Sequence, residues 1–169
     1  MRRLAGKLLI CALVTVAIGS VVHPFGSVKQ ANRAILLDGM AVNPVAFGVI
    51  ERSCANCHSE QVKWPWYSYI APASWLLEND VSRARSRLNL SRWAEYTSQE
   101  QQTLLSAVGA AVRTGEMPPA RYKLLHPEAE LSSAERNLLY EWSRAGRRQL
   151  NKAQHLSQRV SEPAPGNRN

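Results

Sequence analysis

The sequence ERSCANCHSEQ, residues 51–61, contains two cysteines three positions apart and a histidine directly after the second cysteine. Three kinds of site share this spacing of Cys54, Cys57 and His58: a redox-active dithiol, half of a zinc site, and a turn that binds haem covalently. These sites differ in the fold and in the further ligands that they need. The rest of the chain therefore distinguishes between them.

The N-terminus has the pattern of an export signal. A basic segment, MRRLAGK, precedes an apolar run at residues 8–22. This run would span about 22 Å as a helix, and residues 4–7 bring it close to the ~30 Å hydrocarbon core of a bilayer. Residues 1–24 agree with a cleaved signal peptide or an uncleaved signal anchor, and the absence of a small-x-small cleavage motif favours the anchor.

Arg2 and Arg3 predict that the N-terminus stays in the cytoplasm. We therefore expect a single-pass protein of the bacterial cytoplasmic membrane whose domain faces the periplasm. The chain of 169 residues has a net charge of +8, but its basic residues are dispersed over several predicted helices and a tail. This distribution argues against a nucleic-acid-binding module and permits an acidic protein partner or an anionic membrane surface.

Helical periodicity and helix-start signals fill the remainder of the chain, and no strand pattern is visible. Asn43-Pro44 predicts the start of a helix that leads directly into Cys54. A second helix is predicted from Pro72 to about Asn89. Thr97 with Glu100, and Ser132 with Glu135, have the spacing of capping boxes at the starts of two further helices. Gly115 is predicted to end the first of these, and the second is predicted to end near Leu150.

The sequence therefore predicts an all-α domain of three to five helices. The predicted organisation is a membrane segment at residues 1–24, a linker at 25–43, a helical domain at 44–150 and a flexible tail at 151–169.

This prediction bears on the chemistry of the Cys-x-x-Cys-His turn. A structural zinc site needs four ligands, normally with a second close pair, but the third cysteine, Cys11, lies inside the apolar run. A thioredoxin-like dithiol needs a sheet, which the sequence does not predict. Covalent haem attachment accounts for every residue, because both thiols can bind the porphyrin and the adjacent imidazole can reach the iron. We predict one covalent haem c, bound by Cys54 and Cys57, with His58 as an iron ligand.

A low-spin haem needs a sixth ligand. The predicted one is Met117, in a loop that Pro118 and Pro119 stiffen. His126 is the alternative, and an open sixth position is the third case. A His/Met pair would raise the reduction potential and suit electron transfer.

Other side chains are candidates for contact with the porphyrin. The aromatic side chains of the segment after the turn are predicted to form an apolar wall against the haem: Trp64, Trp66, Tyr67, Tyr69 and Trp75. The candidate partners of the haem propionates are Arg83, Arg85, Arg87 and Arg92.

Several short motifs extend this pattern over roughly residues 44–145: Cys54-x-x-Cys57-His58-Ser59, Pro65-Trp66-Tyr67-Ser68, Leu88-Asn89-x-Ser91-x-Trp93, Gly115-x-Met117-Pro118, and His126 before Leu131-Ser-x-x-Glu135. With them the chain resembles a cytochrome c and, more narrowly, the small bacterial family of membrane-anchored haem-binding domains. The resemblance implies a cytochrome c-like fold, thioether links at Cys54 and Cys57, and iron ligation by His58 and Met117. It also implies that the helix before the turn (Phe47, Gly48 and Val49) packs across the last helix (Leu138, Leu139 and Trp142).

Two functions follow as hypotheses. The first is a monohaem c-type cytochrome, not an enzyme, that exchanges single electrons with a redox partner at the outer face of the membrane. The second is a haem enzyme or sensor, such as a small peroxidase or a gas-reactive protein, whose sixth position is open or labile. Met117 is the residue that separates the two.

Overall fold

The computed structural model describes residues 2–24, Val28 and residues 36–161. Every regular element in these residues is helical, which confirms the predicted all-α class. The α-helices are α1 Arg2–Val21, α2 Pro44–Ser53, α3 Ala55–His58, α4 Ala73–Arg87, α5 Ser98–Thr114, α6 Ala120–Leu125 and α7 Ser133–Ser161. Three 3₁₀ helices lie at Trp66–Tyr69, Leu90–Glu95 and Pro127–Ala129. The six α-helices after α1 exceed the predicted three to five, because α3 and α6 are too short to produce a visible periodicity.

Among the described residues, the chain divides into two compact units. One consists of residues 1–34 and 55–91, and the other of residues 35–54 and 92–169. In the first unit, α4 contacts α3 and the first 3₁₀ helix. In the second unit, α7 contacts α5 and α2.

Helix α1 of the first unit is long and apolar enough to cross a membrane: Arg3–Val21 has a mean hydropathy of 2.1. Its C-terminal end contacts the segment that begins α4. The Nε1–H of Trp75 donates to the carbonyl oxygens of Gly19 at 3.0 Å and Val22 at 2.8 Å, and the N–H of Ala71 donates to Ser20 Oγ at 3.0 Å. Trp75 thus satisfies carbonyl groups that a helix end leaves without an intrahelical partner.

Helices α5 and α7 form the main contact of the second unit. Both predicted capping boxes are confirmed, at Thr97 with Glu100 and at Ser132 with Glu135. Gly115 ends α5 in the left-handed conformation, with a φ of 73°. The buried apolar side chains of the two helices include Leu105, Val112, Leu139 and Trp142. The helices approach closely at Gly109, where an added Cβ would lie 2.6 Å from Ser143 Oγ.

Helix α2 begins where the sequence predicts, because the Asn43 side chain accepts a hydrogen bond from the N–H of Ala46 at 2.8 Å. It contacts α7, as the resemblance implies, and Arg52 binds Glu135 on that helix at 2.8 Å. One detail of the implied packing is wrong. Gly48 is exposed, and no atom of another element lies within 4 Å of the position of an added Cβ.

Two predicted boundaries also differ. Helix α7 does not end near Leu150 but continues to Ser161, so the first part of the predicted tail is helical. Residues 151–160 are exposed, and good helix formers suffice to propagate a helix that α5 and α2 already hold in place. Most of the predicted linker and the end of the tail lie outside the described residues. Leu36 and Leu37, at the end of that linker, are buried.

Candidate functional site

The Cys-x-x-Cys-His motif begins at the point where α2 ends. The N–H of Cys54 donates to the carbonyl oxygen of Ile50 at 2.9 Å, which closes the last turn of α2. The Cys54 backbone then departs from helical geometry, with a φ of −123° and a ψ of −41°. The single turn of α3 follows and contains Cys57 and His58. Both thiols and the imidazole are thus presented on one short, interrupted helical segment.

The hydrogen bond of His58 determines which of its nitrogens can bind a metal. Its Nδ1 atom lies 3.0 Å from the carbonyl oxygen of Leu88. Burial lowers the pKa of His58, although the Leu88 and Ala84 carbonyl groups act in the opposite direction. A neutral imidazole has one N–H group, and a carbonyl oxygen can only accept, so the proton belongs on Nδ1. The lone pair is therefore on Nε2, which is the arrangement found in metal-binding histidines.

The segment that follows α4 binds Glu60, two positions after His58. The N–H of Glu60 donates to Ser91 Oγ at 3.0 Å, and the Asn89 amide donates to Glu60 Oε1 at 3.1 Å. The N–H of Ser91 in turn donates to Asn89 Oδ1 at 3.1 Å. The Leu88-Asn89-x-Ser91 motif thus contacts the turn through a backbone carbonyl and two side chains.

Two further contacts fix the backbone around the motif. Asn56, between the cysteines, accepts from the N–H of Lys63 at 2.7 Å and donates to the Lys63 carbonyl oxygen at 3.4 Å. Arg85 Nε donates to the carbonyl oxygen of Ser59 at 2.8 Å, and Ser59 is fully buried. Arg85 therefore contacts the polypeptide of the site, whereas Arg92 pairs with Glu95.

The Cys57 side chain lies in a largely buried environment. Burial, together with the charge of Asp80, raises the pKa of the Cys57 thiol to about 11, and Arg85 acts in the opposite direction. Neither Cys54 nor Cys57 forms a disulfide within the described residues. Nowhere in that part of the chain do three or more His, Cys, Asp or Glu side chains form a group that could hold a metal ion.

These observations fit a covalently bound haem. Cys54 and Cys57 lie outside any disulfide within the described residues, and burial favours the neutral form of the imidazole that follows them. A metal held by protein ligands alone fits less well, because no group of three such ligands exists in the described residues. Two cysteine side chains followed by a histidine are a donor set that a haem can use.

The predicted aromatic contacts differ in exposure: Tyr69 is 67% exposed, and the indole N–H of Trp75 binds the end of α1. Tyr67 is half-buried, whereas Trp66 is 77% exposed. The two rings meet edge to face, with centroids 5.8 Å apart. Their contact with a haem stays a prediction.

The two candidates for the sixth ligand belong to the second unit, whereas Cys57 and His58 belong to the first. The half-buried Met117 donates its N–H to the carbonyl oxygen of Ala111 at 3.3 Å. His126 stacks on Tyr122, with ring centroids 4.3 Å apart, and its Nδ1 lies 3.0 Å from Glu128 Oε1. Iron ligation by Met117 or by His126 therefore stays a prediction.

Sequence reasoning did not assign Leu88, Asn89 and Ser91 to the site, although they bind His58 and Glu60. The signal was present, because these residues form one of the motifs that carry the resemblance. Their role depends on a hydrogen-bonding distance across 30 positions of sequence, which periodicity does not reveal.

Comparison with known proteins gives two findings. A family model described as "Haem-binding domain" matches residues 15–145. The chain is 26% identical over 118 residues to the cytochrome c peroxidase Ccp of Escherichia coli (strain K12), a match that covers 68% of this chain and 25% of that protein. The chain thus spans about a quarter of the length of that relative. No solved structure matches.

Proposed function

The chain belongs to the haem-binding domain family, and from this premise we propose that it is a membrane-anchored, monohaem c-type cytochrome that transfers single electrons. The observation that carries the proposal is the hydrogen bond from His58 Nδ1 to Leu88 at 3.0 Å, directly after Cys-x-x-Cys. With the proton on Nδ1, Nε2 would bind the iron next to Cys54 and Cys57. Cys54 and Cys57 would hold the haem covalently, and His58 would bind its iron.

When bound, the haem would supply a one-electron redox centre. The protein would determine its properties through three features: the orientation of His58 by Leu88, the apolar wall of Trp66 and Tyr67, and the sixth ligand. We propose Met117 for that ligand, because Pro118 and Pro119 restrict its loop and Gly115 ends α5 directly before it. His126 is the competing ligand, with its Nδ1 occupied by Glu128.

The proposed location is the cytoplasmic membrane of a bacterium, with the domain facing the periplasm. Helix α1 has the length and hydropathy of a membrane span, and Arg2, Arg3 and Lys7 precede its apolar part. The electron would pass to or from a separate redox protein, and the basic surface suits an acidic partner.

The decisive experiment is expression of the full chain with and without the cytochrome c maturation machinery. Haem staining of a denaturing gel should show haem that remains on the polypeptide and resists acidified organic solvent. The Cys54→Ala/Cys57→Ala variant should lose the stain, and His58→Ala should yield no stable holoprotein. Haem that is extracted from the wild-type protein would contradict covalent attachment and indicate a haem carrier or sensor.

A second candidate function is peroxide reduction, because the curated relative is a cytochrome c peroxidase. This activity would require an open or labile sixth position. A high-spin spectrum that changes on addition of peroxide or carbon monoxide would favour it. A low-spin spectrum with a sulfur-to-iron charge-transfer band would favour electron transfer with Met117 as the ligand.

A further inference from the structure

Within residues 55–91 of the first unit, the exposed large apolar side chains are confined to one short segment. Among residues 55–91, all of which are described, the exposed large hydrophobic side chains are Trp66 (77%), Tyr69 (67%), Ile70 (44%) and Leu76 (60%). The sequence between Lys63 and Glu78 contains no Asp, Glu, Lys, Arg or His. A continuous uncharged segment with exposed aromatic and aliphatic side chains is unusual on a surface that faces only water.

The same segment is attached to the end of the apolar helix. The N–H of Ala71 and the indole N–H of Trp75 bind the last turn of α1, at distances of 2.8 to 3.0 Å. The fit is close, because a Cβ added at Gly19 would lie 3.2 Å from both the Ala71 Cβ and the Trp75 ring. His23, just beyond α1, also binds Glu78 of α4 at 2.6 Å.

The length of α1 determines where this attachment lies. At about 1.5 Å per residue, its 20 residues extend about 30 Å, the thickness of a bilayer hydrocarbon core. If α1 spans the membrane, its last turn lies at the outer interface, and so do Ala71 and Trp75. Tyr69 is two residues from Ala71, a chain distance of at most about 7 Å. Leu76 follows Trp75 directly.

We propose that Tyr69, Ile70 and Leu76 form a membrane-surface patch that enters the outer interface of the bilayer spanned by α1. This inference rests on the membrane anchor in the proposed function. Tyrosine suits the interface because its ring is apolar and its hydroxyl group can stay hydrated, while Ile70 and Leu76 contribute apolar area. Trp66 lies one 3₁₀ turn before Tyr69, so the patch borders the aromatic pair proposed to contact the haem.

The patch would hold the first unit against the membrane instead of leaving it on a free tether. Because α4 contacts α3, Cys57 and His58 would then remain at a fixed height above the lipid surface. A redox partner would have to approach the haem from the side that faces away from the bilayer or along the membrane plane.

The test is photo-crosslinking of the full-length holoprotein in liposomes of phosphatidylethanolamine and phosphatidylglycerol. In two separate variants, benzoylphenylalanine replaces Tyr69 or Leu76. In two control variants it replaces Leu13 of α1, as the positive control, or Ser86, as the negative control. Ser86 is exposed and lies ten residues beyond Leu76 on α4, about 15 Å along the axis. Retained covalent haem verifies that each variant folds.

We expect lipid adducts at Leu13, Tyr69 and Leu76, with yields several-fold above that at Ser86. Adducts at Leu13 but none at Tyr69 and Leu76 would overturn the patch and leave the membrane anchor intact. Equal yields at Ser86 would also overturn it, as would crosslinks from Tyr69 and Leu76 to protein alone. An absence of lipid adducts at all four positions would overturn the anchor together with the patch.

Discussion

The Nδ1 atom of His58 lies 3.0 Å from the carbonyl oxygen of Leu88. This carbonyl begins a segment in which Asn89 and Ser91 both bind Glu60, two positions after His58. The imidazole and the backbone that follows it are therefore held by the same four-residue segment. The segment whose carbonyl group accepts from the imidazole is thus attached to Glu60 by the side chains of Asn89 and Ser91.

The first prediction concerns Ser91→Ala as a positioning variant. Loss of the hydroxyl group leaves the Glu60 N–H without its acceptor, which costs about 1–2 kcal/mol in the free energy of unfolding. We expect covalent haem to be retained but the reduction potential to shift, because the Leu88 carbonyl holds His58 less firmly. Denaturant unfolding followed in the Soret band and redox titration measure the two effects.

Ser86→Ala is the matched control for Ser91→Ala. Ser86 is exposed, and its hydroxyl group donates to the Arg83 carbonyl oxygen within α4. This substitution should change the free energy of unfolding by less than about 0.5 kcal/mol and leave the potential unaltered. If Ser91→Ala has the potential of the wild-type protein, Ser91 has a structural role only.

The second prediction concerns the sixth ligand. Met117→Ala should keep covalent haem, lose the low-spin spectrum and lower the potential, because the thioether ligand is removed. Met117→Leu nearly conserves side-chain volume but has no thioether sulfur, so it separates loss of ligation from loss of packing. His126→Ala should leave the spectrum unaltered. An unchanged spectrum in both Met117 variants would assign the ligand to His126 or leave the position open.

The fold was largely predictable because it depends on local signals. Asn43-Pro44, the two capping boxes and Gly115 specify helix ends through bonds made within a few residues. The far end of α7 was not predictable in this way, because the sequence has no stop signal between Leu150 and Pro163. A polar, exposed stretch has the same composition whether it continues a helix or frays.

The site was predictable only in part, for a related physical reason. The residues of the turn are contiguous, so their spacing alone indicates haem attachment. The contacts of His58 with Leu88 and of Arg85 with Ser59 join positions far apart in sequence. Such contacts depend on tertiary packing, which a single sequence does not encode in any local pattern.

The third prediction tests the close approach of α5 and α7. Gly109→Ala would introduce a Cβ 2.6 Å from Ser143 Oγ, and Ser143 is almost fully buried. Either the Ser143 hydroxyl group rotates away and loses its hydrogen bond to the Tyr140 carbonyl oxygen, or the helices separate slightly. Both changes should lower the free energy of unfolding, by about 1–3 kcal/mol. Gly48→Ala is the matched control, since its Cβ meets no other element. It should raise the stability by up to about 1 kcal/mol, because alanine favours a helix over glycine. Thermal unfolding of both holoproteins measures the change in stability that each substitution causes. Equal changes for Gly109→Ala and Gly48→Ala would contradict the close contact at Gly109.

The fourth prediction concerns acid stability at the start of α7. Hydrogen bonds from the N–H of Ser132 and from Arg52 hold the pKa of Glu135 below its usual value. A lowered pKa in the folded state means that the stabilisation is complete above the unfolded pKa of about 4.3. It is lost as the pH falls through the lower folded value, because protonation of the carboxylate weakens both contacts.

Glu135→Gln should therefore lower the free energy of unfolding by roughly 0.5–1 kcal/mol at pH 7. The difference in free energy of unfolding between this variant and the wild-type protein should shrink below about pH 4. Glu141→Gln makes the same change on α7, at an exposed pair with Arg144 that lies outside the cap. It should have a smaller effect at pH 7. Urea unfolding of the three proteins across this pH range measures the dependence. If the free energies of unfolding of Glu135→Gln and the wild-type protein differ by a constant amount down to pH 3, Glu135 acts through the shape of the cap and not through its charge.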